Sequence, residues 1–200
     1  MVNGAGMSFI EIGIISAVFF VVVSIAFTTL RVGISPMPSS PQATQVILAM
    51  LPERVEGTIV ELGSGWGTLA FPIYRNRPET RVIGMEVSFF PWLWSRLVKR
   101  MMRYHNLNLV RQDFRSASLR DASVVVCYLF PQAMTLLHEK FRKELQPGAL
   151  VISNTFRLPG WSPEKVVVLQ DAYRTPVYLY RVREPGEGEV MNTLTESQVA

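Results

Sequence analysis

The chain has 200 residues with a formal net charge of +4 at pH 7, and 48% of its residues are hydrophobic. This length suits one domain of ordinary size, and so small a net charge does not favour a nucleic-acid partner. The single cysteine excludes an intrachain disulfide framework. No group of Cys and His residues has metal-ligand spacing, so we expect no metal site.

A long apolar segment lies near the N-terminus. Residues 12–30 (IGIISAVFFVVVSIAFTTL) carry no charge and are about as long as a helix that crosses the hydrocarbon core. No Lys or Arg precedes them, which disfavours a cleaved secretory signal, and hydrophobicity on all faces favours lipid over a buried core helix. The sequence therefore predicts a short tail over 1–11 and a single transmembrane helix over 12–30.

The orientation of this helix follows from the basic residues. All of them, beginning with Arg31, lie on its C-terminal side. The positive-inside rule therefore predicts an outside N-terminus and a domain that faces the cytoplasm.

The flanks of that domain differ from it in composition. Residues 31–41 are rich in Pro and Ser and predict a linker that is not helical throughout. The next segment, QATQVILAML, predicts an amphipathic helix that begins at Ser40 or Pro41. We assign 42–183 to the domain, and the polar, acidic residues 184–200 predict a disordered tail.

A glycine-rich segment, TIVELGSGWGT, occupies residues 58–68. Ile59 and Val60 predict a short buried strand, and a helical pattern follows the glycines. Glycine-rich strand-to-helix turns bind nucleotide-type cofactors in doubly wound α/β folds, because glycine lets the backbone approach a ligand. A dinucleotide fingerprint needs its third glycine at position 68, which is Thr, so an NAD enzyme is disfavoured.

The pattern acid-x-G-x-G-x-G, which starts at Glu61, resembles the first motif of class I S-adenosylmethionine (SAM)-dependent methyltransferases. The resemblance implies that the loop packs under the methionine end of SAM. The next predicted strand, RVIGMEV, brings an acid, Glu86, that can accept hydrogen bonds from ribose hydroxyls, although an exposed strand-end glutamate is the alternative. A third strand precedes Asp113 and Phe114, where such enzymes commonly contact adenine, and the alternative for Asp113 is capping of a turn. The predicted cofactor-binding residues are Glu61, Gly63, Ser64, Gly65, Gly67, Glu86, Asp113 and Phe114.

The continuous apolar run 124–130 predicts a central parallel strand that is buried on both faces. A helix that begins with proline and a fifth strand, ALVIS, follow it. In class I methyltransferases the end of the fourth strand faces the transferred methyl group, which makes Tyr128, Phe130 and Pro131 the predicted catalytic residues. Tyr128, Phe130 and Trp161 could form an aromatic pocket, which would lower the pKa of a lysine amine by desolvation. Core packing is the equal alternative for Phe130 and Trp161. We predict that His105 and His138 lie on helices as surface residues.

Five segments together resemble one family: SPMPSS, VELGSGWG, GMEVSFFPWLWSR, LFPQAM and FRLPGW. It is the family of membrane-anchored protein-lysine methyltransferases of mitochondria that modify the ATP synthase c-subunit and the adenine nucleotide translocase, together with prokaryotic relatives. The resemblance covers about residues 36–181. It implies an α/β fold, with a Rossmann-like seven-stranded sheet that has helices on both faces, preceded by one N-terminal transmembrane helix.

The same resemblance implies a membrane-anchored enzyme that uses SAM to methylate a lysine of a membrane protein. Its LFPQ and TFRLPGW segments would flank the substrate amine, and its domain would face the compartment where SAM is made. Two positions depart from the family: Trp66 stands where an acid is usual, and Ser88 where Asn is common. The Gly-Trp-Gly loop resembles that of cyclopropane fatty acid synthases. A methyltransferase acting on a lipid or another lipophilic small molecule is therefore an alternative, and a non-catalytic membrane-anchored SAM-binding module is another.

One predicted helix, PWLWSRLVKRMMRYH, is strongly basic. Its four basic side chains at three- and four-residue spacings share a face: Arg96, Lys99, Arg100 and Arg103. A solvated face is the default interpretation, and contact with anionic lipid is the alternative.

Overall fold

A computed structural model describes residues 7–32 and 38–184 of the chain. The helices are α1 (Phe9–Val32), α2 (Pro41–Met50), α3 (Ala70–Asn76), α4 (Phe89–Met102) and α5 (Pro131–Glu144). The strands are β1 (Thr58–Leu62), β2 (Arg81–Glu86), β3 (Leu107–Arg111), β4 (Ala122–Cys127), β5 (Leu150–Asn154), β6 (Lys165–Val168) and β7 (Pro176–Arg181). Nearly all of the predicted C-terminal tail, the first half of the predicted N-terminal tail and part of the predicted linker lie outside the described residues.

The described strands form one seven-stranded sheet in the order β3-β2-β1-β4-β5-β7-β6. Strands β1 to β5 are mutually parallel, and β7 is antiparallel to both of its neighbours. Parallel strands need crossover connections, which are usually helices that cover the faces of the sheet. The predicted α/β fold with a seven-stranded, Rossmann-like sheet is therefore confirmed.

Two hydrophobic clusters lie on the two faces of this sheet, since alternate residues of a strand point to opposite faces. Val125 of β4 belongs to the cluster that contains Leu137 and Phe141 of α5. Val124 belongs to the cluster that contains Ile47 of α2 and Ile73 of α3. The predicted helices on both faces are thus present, and every residue of the central strand β1 is buried between them.

The start of α2 agrees with its sequence signal. The Ser40 hydroxyl accepts a hydrogen bond from the Ala43 amide at 3.1 Å, and Pro41 is the first helical residue. A serine cap satisfies one of the amides that a helix start leaves without a partner. The predicted boundary at Ser40 and Pro41 is confirmed.

Helix α1 contains the apolar segment 12–30, so the prediction that this segment is helical is confirmed. The prediction that it is a transmembrane helix is not supported. Among the described residues, no helix combines the length and the hydropathy that crossing a membrane requires. Phe20 of α1 meets Phe90 of α4 edge-on, with the ring centroids 6.1 Å apart.

Candidate functional site

The carboxyl ends of β1, β2 and β4 meet at one edge of the sheet. Leu62 at the end of β1 pairs with Met85 of β2 on one side and with Cys127 of β4 on the other. Strand order reverses between β1 and β4, and open α/β sheets bind ligands at such a switch point. The glycine loop after β1 therefore lies between the end of β2 and the segment that leaves β4.

The backbone of this loop is left-handed at all three glycines, with φ values of 78° at Gly63, 50° at Gly65 and 82° at Gly67. A Cβ atom on Gly67 would lie 2.7 Å from the Phe71 ring of α3, so a side chain at this position would displace that ring. A Cβ on Gly65 would meet no protein atom within 4 Å. Gly65 thus faces open space, as a glycine beside a ligand should.

Glu86 fixes the loop to the end of β2. Its carboxylate accepts hydrogen bonds from the Gly65 amide at 2.8 Å and from the Ser88 amide at 2.7 Å. Each carboxylate oxygen keeps a free lone pair, so Glu86 can still accept hydrogen bonds from ligand hydroxyls. The alternative interpretation of Glu86 as an exposed strand-end residue is wrong, because its side chain is buried.

Two buried polar atoms beside Glu86 have no hydrogen-bond partner among the described residues: Oε2 of Glu61 and Oγ of Ser64. Burial, and secondarily the negative charge of Glu86, raise the pKa of Glu61 to about 8. Buried polar groups are nearly always paired in native proteins, so we expect a ligand to pair with these atoms. SAM carries an ammonium and a sulfonium, which would supply the missing donor and positive charge. The residues present therefore fit SAM.

The segment after β3 lies beside Glu86, because the Gln112 amide donates a hydrogen bond to the Glu86 carbonyl at 3.0 Å. Asp113 accepts hydrogen bonds from both the amide and the guanidinium of Arg115, which lower the pKa of its carboxyl. The turn-capping alternative for Asp113 is thus present in the structure. Phe114 is buried in the core. Contact of Asp113 and Phe114 with adenine stays a prediction.

The predicted catalytic residues follow β4 directly. Tyr128 and Phe130 are half-buried, and Pro131 is the first residue of α5. Leu129 between them approaches the glycine loop, since a Cβ on Gly63 would lie 3.0 Å from its Cδ2. The structure therefore brings this segment and the cofactor loop together. The catalytic assignment itself stays a prediction.

The other aromatic residues predicted near the substrate pack largely against the hydrophobic core. Phe130 and Trp161 both pack against the core cluster of α5. The Trp161 ring meets those of Phe141 and Tyr180 edge-on, with centroids 6.4 and 6.2 Å away. His138 lies on α5 as predicted, but it is half-buried and not a surface residue. His105 is exposed as predicted, but it lies in the turn after α4 and not on a helix.

The predicted substrate-flanking segment TFRLPGW begins at Thr155, directly after β5, but sequence reasoning missed Asn154 at the end of that strand. This strand end adjoins the segment that follows β4 through the Cys127–Ser153 pairing. Asn154 is buried, and its side-chain amide Nδ2 donates a hydrogen bond to the Ser39 hydroxyl at 3.4 Å. Thr155 has a φ of 71°, an outlier for a β-branched residue, and such strain concentrates at functional sites. The available signal was a pair of polar residues directly after the apolar run ALVIS.

Comparison with known proteins identifies similar chains. The model of the ANTKMT methyltransferase domain family matches residues 61–165. The adenine nucleotide translocase lysine N-methyltransferase of Mus musculus is 32% identical over 148 residues, which cover 69% of this chain and 60% of that protein. A protein-lysine N-methyltransferase of Saccharolobus islandicus is 23% identical over 155 residues, which cover 74% of this chain and 93% of that protein. The chain thus spans less than two thirds of the length of the mouse relative.

Among solved structures, the fold is similar to that of an RNA methyltransferase from Salinibacter ruber in complex with S-adenosyl-L-homocysteine. The TM-score is 0.68 at 23% identity, and the likeness covers 74% of this chain and 95% of the other. This likeness establishes the fold.

Proposed function

Because the chain belongs to the ANTKMT methyltransferase domain family, we propose that it transfers a methyl group from SAM to a lysine side chain of a membrane protein. Its sheet is that of class I SAM-dependent methyltransferases, and SAM is its cofactor. The observation that carries the proposal is the cradle of Glu61, Ser64, Gly65 and Glu86. There, two buried polar atoms that have no hydrogen-bond partner among the described residues adjoin a glycine that faces open space.

Each part of the cradle has a role in this proposal. Glu86 is held by two backbone amides, and it would accept hydrogen bonds from the ribose hydroxyls of SAM. Glu61 and Ser64 would hold the charged methionine end of SAM, and Gly65 would leave room for it. A cationic ligand beside Glu61 favours its carboxylate form and so opposes the effect of burial on its pKa. Bound SAM supplies a methyl group that its sulfonium already activates.

In this proposal the substrate amine lies beside the segment that follows β4. Tyr128 and Phe130 are half-buried there, and they shield the amine from water. Desolvation lowers the pKa of an ammonium, which favours the neutral, nucleophilic amine. These side chains also align the amine with the methyl group, and alignment is the main catalytic requirement for an activated methyl donor.

The lysine substrate is supported by the relatives. The names of the mouse and Saccharolobus proteins both specify lysine N-methylation, and the mouse protein is named for a translocase substrate. Two further relatives from mouse and rat, each 29% identical, are named as lysine N-methyltransferases of the ATP synthase c-subunit.

Contact with the bilayer through α1 is supported by the exposed apolar surface of that helix. Large exposed apolar patches mark membrane or protein contacts. The residues are Phe9, Ile10, Ile12, Ile14, Ile15, Val18, Phe19, Phe20, Val22 and Val23. We further propose that the catalytic domain lies on the cytoplasmic side of this membrane, because a domain that uses SAM must face the compartment where SAM is made.

The proposal is tested by transfer of radiolabelled methyl groups from SAM into membranes of a strain that lacks this protein. Purified protein is added, and the products are separated into protein and lipid. We expect label in one or a few protein bands, which amino-acid analysis identifies as methyl-lysine. The Glu86→Ala variant should lose this label, whereas Glu79→Ala, an exposed glutamate in the turn before β2, should retain it.

Two results would contradict the proposal. Label confined to the lipid fraction would assign the enzyme a lipophilic substrate. Binding of S-adenosylhomocysteine without transfer to any membrane fraction would favour a non-catalytic SAM-binding module.

A further inference from the structure

Helix α4 carries an apolar stripe that the sheet does not cover. Trp94, Leu97 and Met101 follow one another at helical spacing and are 56%, 50% and 79% exposed. Residues spaced by three and four positions lie on the same side of a helix. Three large apolar side chains on one exposed stripe are unusual for a surface that meets only water.

This stripe continues into α1. Phe90 precedes Trp94 by four residues and therefore belongs to the same side of α4. The Phe90 ring contacts Phe20 of α1, whose described side chains are mostly apolar and exposed. The apolar surfaces of the two helices are thus adjacent, and α4 extends the surface of α1 onto the catalytic domain.

A basic stripe lies beside the apolar one. Arg96, Arg100 and Arg103 are exposed, and α4 contains no acidic residue. No ion pair within residues 7–32 and 38–184 involves these arginines. They border a groove of about 510 Å³ that Trp92 and Tyr104 also line, and the Arg96 guanidinium lies 5.2 Å from the Trp92 ring centroid. The groove therefore combines positive charge with apolar walls.

We propose that the exposed face of α4 docks on an anionic lipid surface. An apolar stripe flanked by Lys and Arg is the arrangement of helices that lie in the membrane interface. Trp94, Leu97 and Met101 enter the boundary between headgroups and acyl chains, while the arginines bind lipid phosphates. This docking goes beyond methyl transfer and does not depend on it, because none of these side chains belongs to the cofactor cradle. It would fix the orientation of the domain on the bilayer that α1 contacts.

The test compares binding of the full chain to vesicles of phosphatidylcholine alone and to vesicles with about a third phosphatidylglycerol. The variant Arg96→Gln/Arg100→Gln/Arg103→Gln removes three charges from α4. The matched control Arg120→Gln/Arg142→Gln/Lys143→Gln removes three exposed charges on and near α5. Thermal unfolding of both variants verifies that the fold is retained.

Each basic residue near an anionic surface contributes about a fivefold gain in affinity, so the α4 variant should bind the anionic vesicles on the order of 100-fold more weakly. The control should bind within severalfold of the native chain, and the preference for anionic vesicles should weaken as salt is raised. Lipids with brominated acyl chains should quench the tryptophan fluorescence of the native chain more strongly than that of the Trp94→Phe variant.

Three results would overturn the proposal. The first is equal binding of the native chain to both kinds of vesicle, and the second is an equal loss of vesicle affinity in the α4 and α5 variants. The third is that the native chain binds RNA as tightly as it binds vesicles and that the α4 variant does not bind RNA. The last result would assign the basic stripe to nucleic acid. All of these measurements are independent of methyl transfer, so failure of the proposed enzymatic function would leave them unaffected.

Discussion

The cofactor cradle and the exposed face of α4 consist of different kinds of groups. The cradle uses backbone amides, left-handed glycines and two buried acids, with almost no exposed side chain. The α4 face uses long exposed side chains on an ordinary helix. A ligand of the cradle must pair with polar groups that have no partner within residues 7–32 and 38–184, whereas a partner of α4 only replaces water.

This difference determines how each region should respond to substitution. In the cradle, binding and folding share the same atoms, so one change affects both. On α4 the binding groups contribute little to folding, since surface substitutions usually change stability by less than about 0.5 kcal/mol. The predictions below separate the two regions, beginning with the largest effect.

Substitution of Glu86 should break the cradle. In Glu86→Ala the amides of Gly65 and Ser88 lose their carboxylate acceptor, and the ribose loses its own. Hydrogen bonds to charged groups contribute about 1.5 to 3 kcal/mol each, so affinity for S-adenosylhomocysteine should fall by about 100-fold or more. Isothermal titration calorimetry measures this loss. Vesicle binding should not change, and an unchanged affinity for the ligand would refute the role of Glu86.

The buried Glu61 should make stability depend on pH. Its pKa is about 8 in the folded chain and 4.5 as its ordinary value, so between these pH values the folded chain holds a proton that the unfolded chain has released. The free energy of unfolding should therefore fall as pH rises, by up to about 3 kcal/mol between about pH 5.5 and about pH 7.5.

The matched variant Glu61→Gln cannot ionise and should lose this part of the pH dependence. Urea unfolding of the ligand-free protein at the two pH values measures the difference. Parallel pH profiles for the native chain and the variant would show that Glu61 does not titrate in this range.

Two glycines of the same loop should respond differently to alanine. Gly67→Ala places a Cβ 2.7 Å from the Phe71 ring, and Gly65→Ala places one in open space. Both variants carry the strain of a left-handed alanine, about 1 to 2 kcal/mol, but only Gly67→Ala adds overpacking of about 1 to 3 kcal/mol. Gly65→Ala should instead weaken binding of S-adenosylhomocysteine beyond its effect on stability. Equal losses of stability in the two variants would contradict this division of roles.

The strand-loop-helix at the glycines and the position of Glu86 could be predicted from the sequence because they depend on local geometry, whereas the assignment of the loop to SAM came from the family resemblance. Glycines at alternate positions after a β-branched run permit left-handed conformations at those places, and the acid of the next strand follows at a regular distance. The same locality explains the correct start of α2, where Ser40 and Pro41 act on neighbouring amides.

Other features depend on contacts between distant segments, which periodicity does not encode. The strained Thr155 becomes apparent only once β7 pairs with β5, where its amide donates to the Pro176 carbonyl. The structure places the Trp161 ring against Phe141 and Tyr180, which agrees with the core-packing alternative, while contact of Trp161 with a substrate stays a prediction. The Asp113 carboxylate pairs with the Arg115 guanidinium, two residues away. The sequence alone could not distinguish this local ion pair from contact between Asp113 and a ligand.

The smallest predicted effect on folding lies on the α4 face. Met101 is 79% exposed, so Met101→Ala should change the free energy of unfolding by less than about 0.5 kcal/mol while it weakens binding to anionic vesicles. Met134 of α5 is fully buried, and the same substitution there should cost about 2 to 5 kcal/mol and leave vesicle binding unchanged in the folded chain. Urea unfolding measures the change in stability of each variant, and vesicle sedimentation measures the change in its vesicle binding. A large loss of stability in Met101→Ala would mean that another part of the chain covers this stripe, and the separation between the two regions would fail.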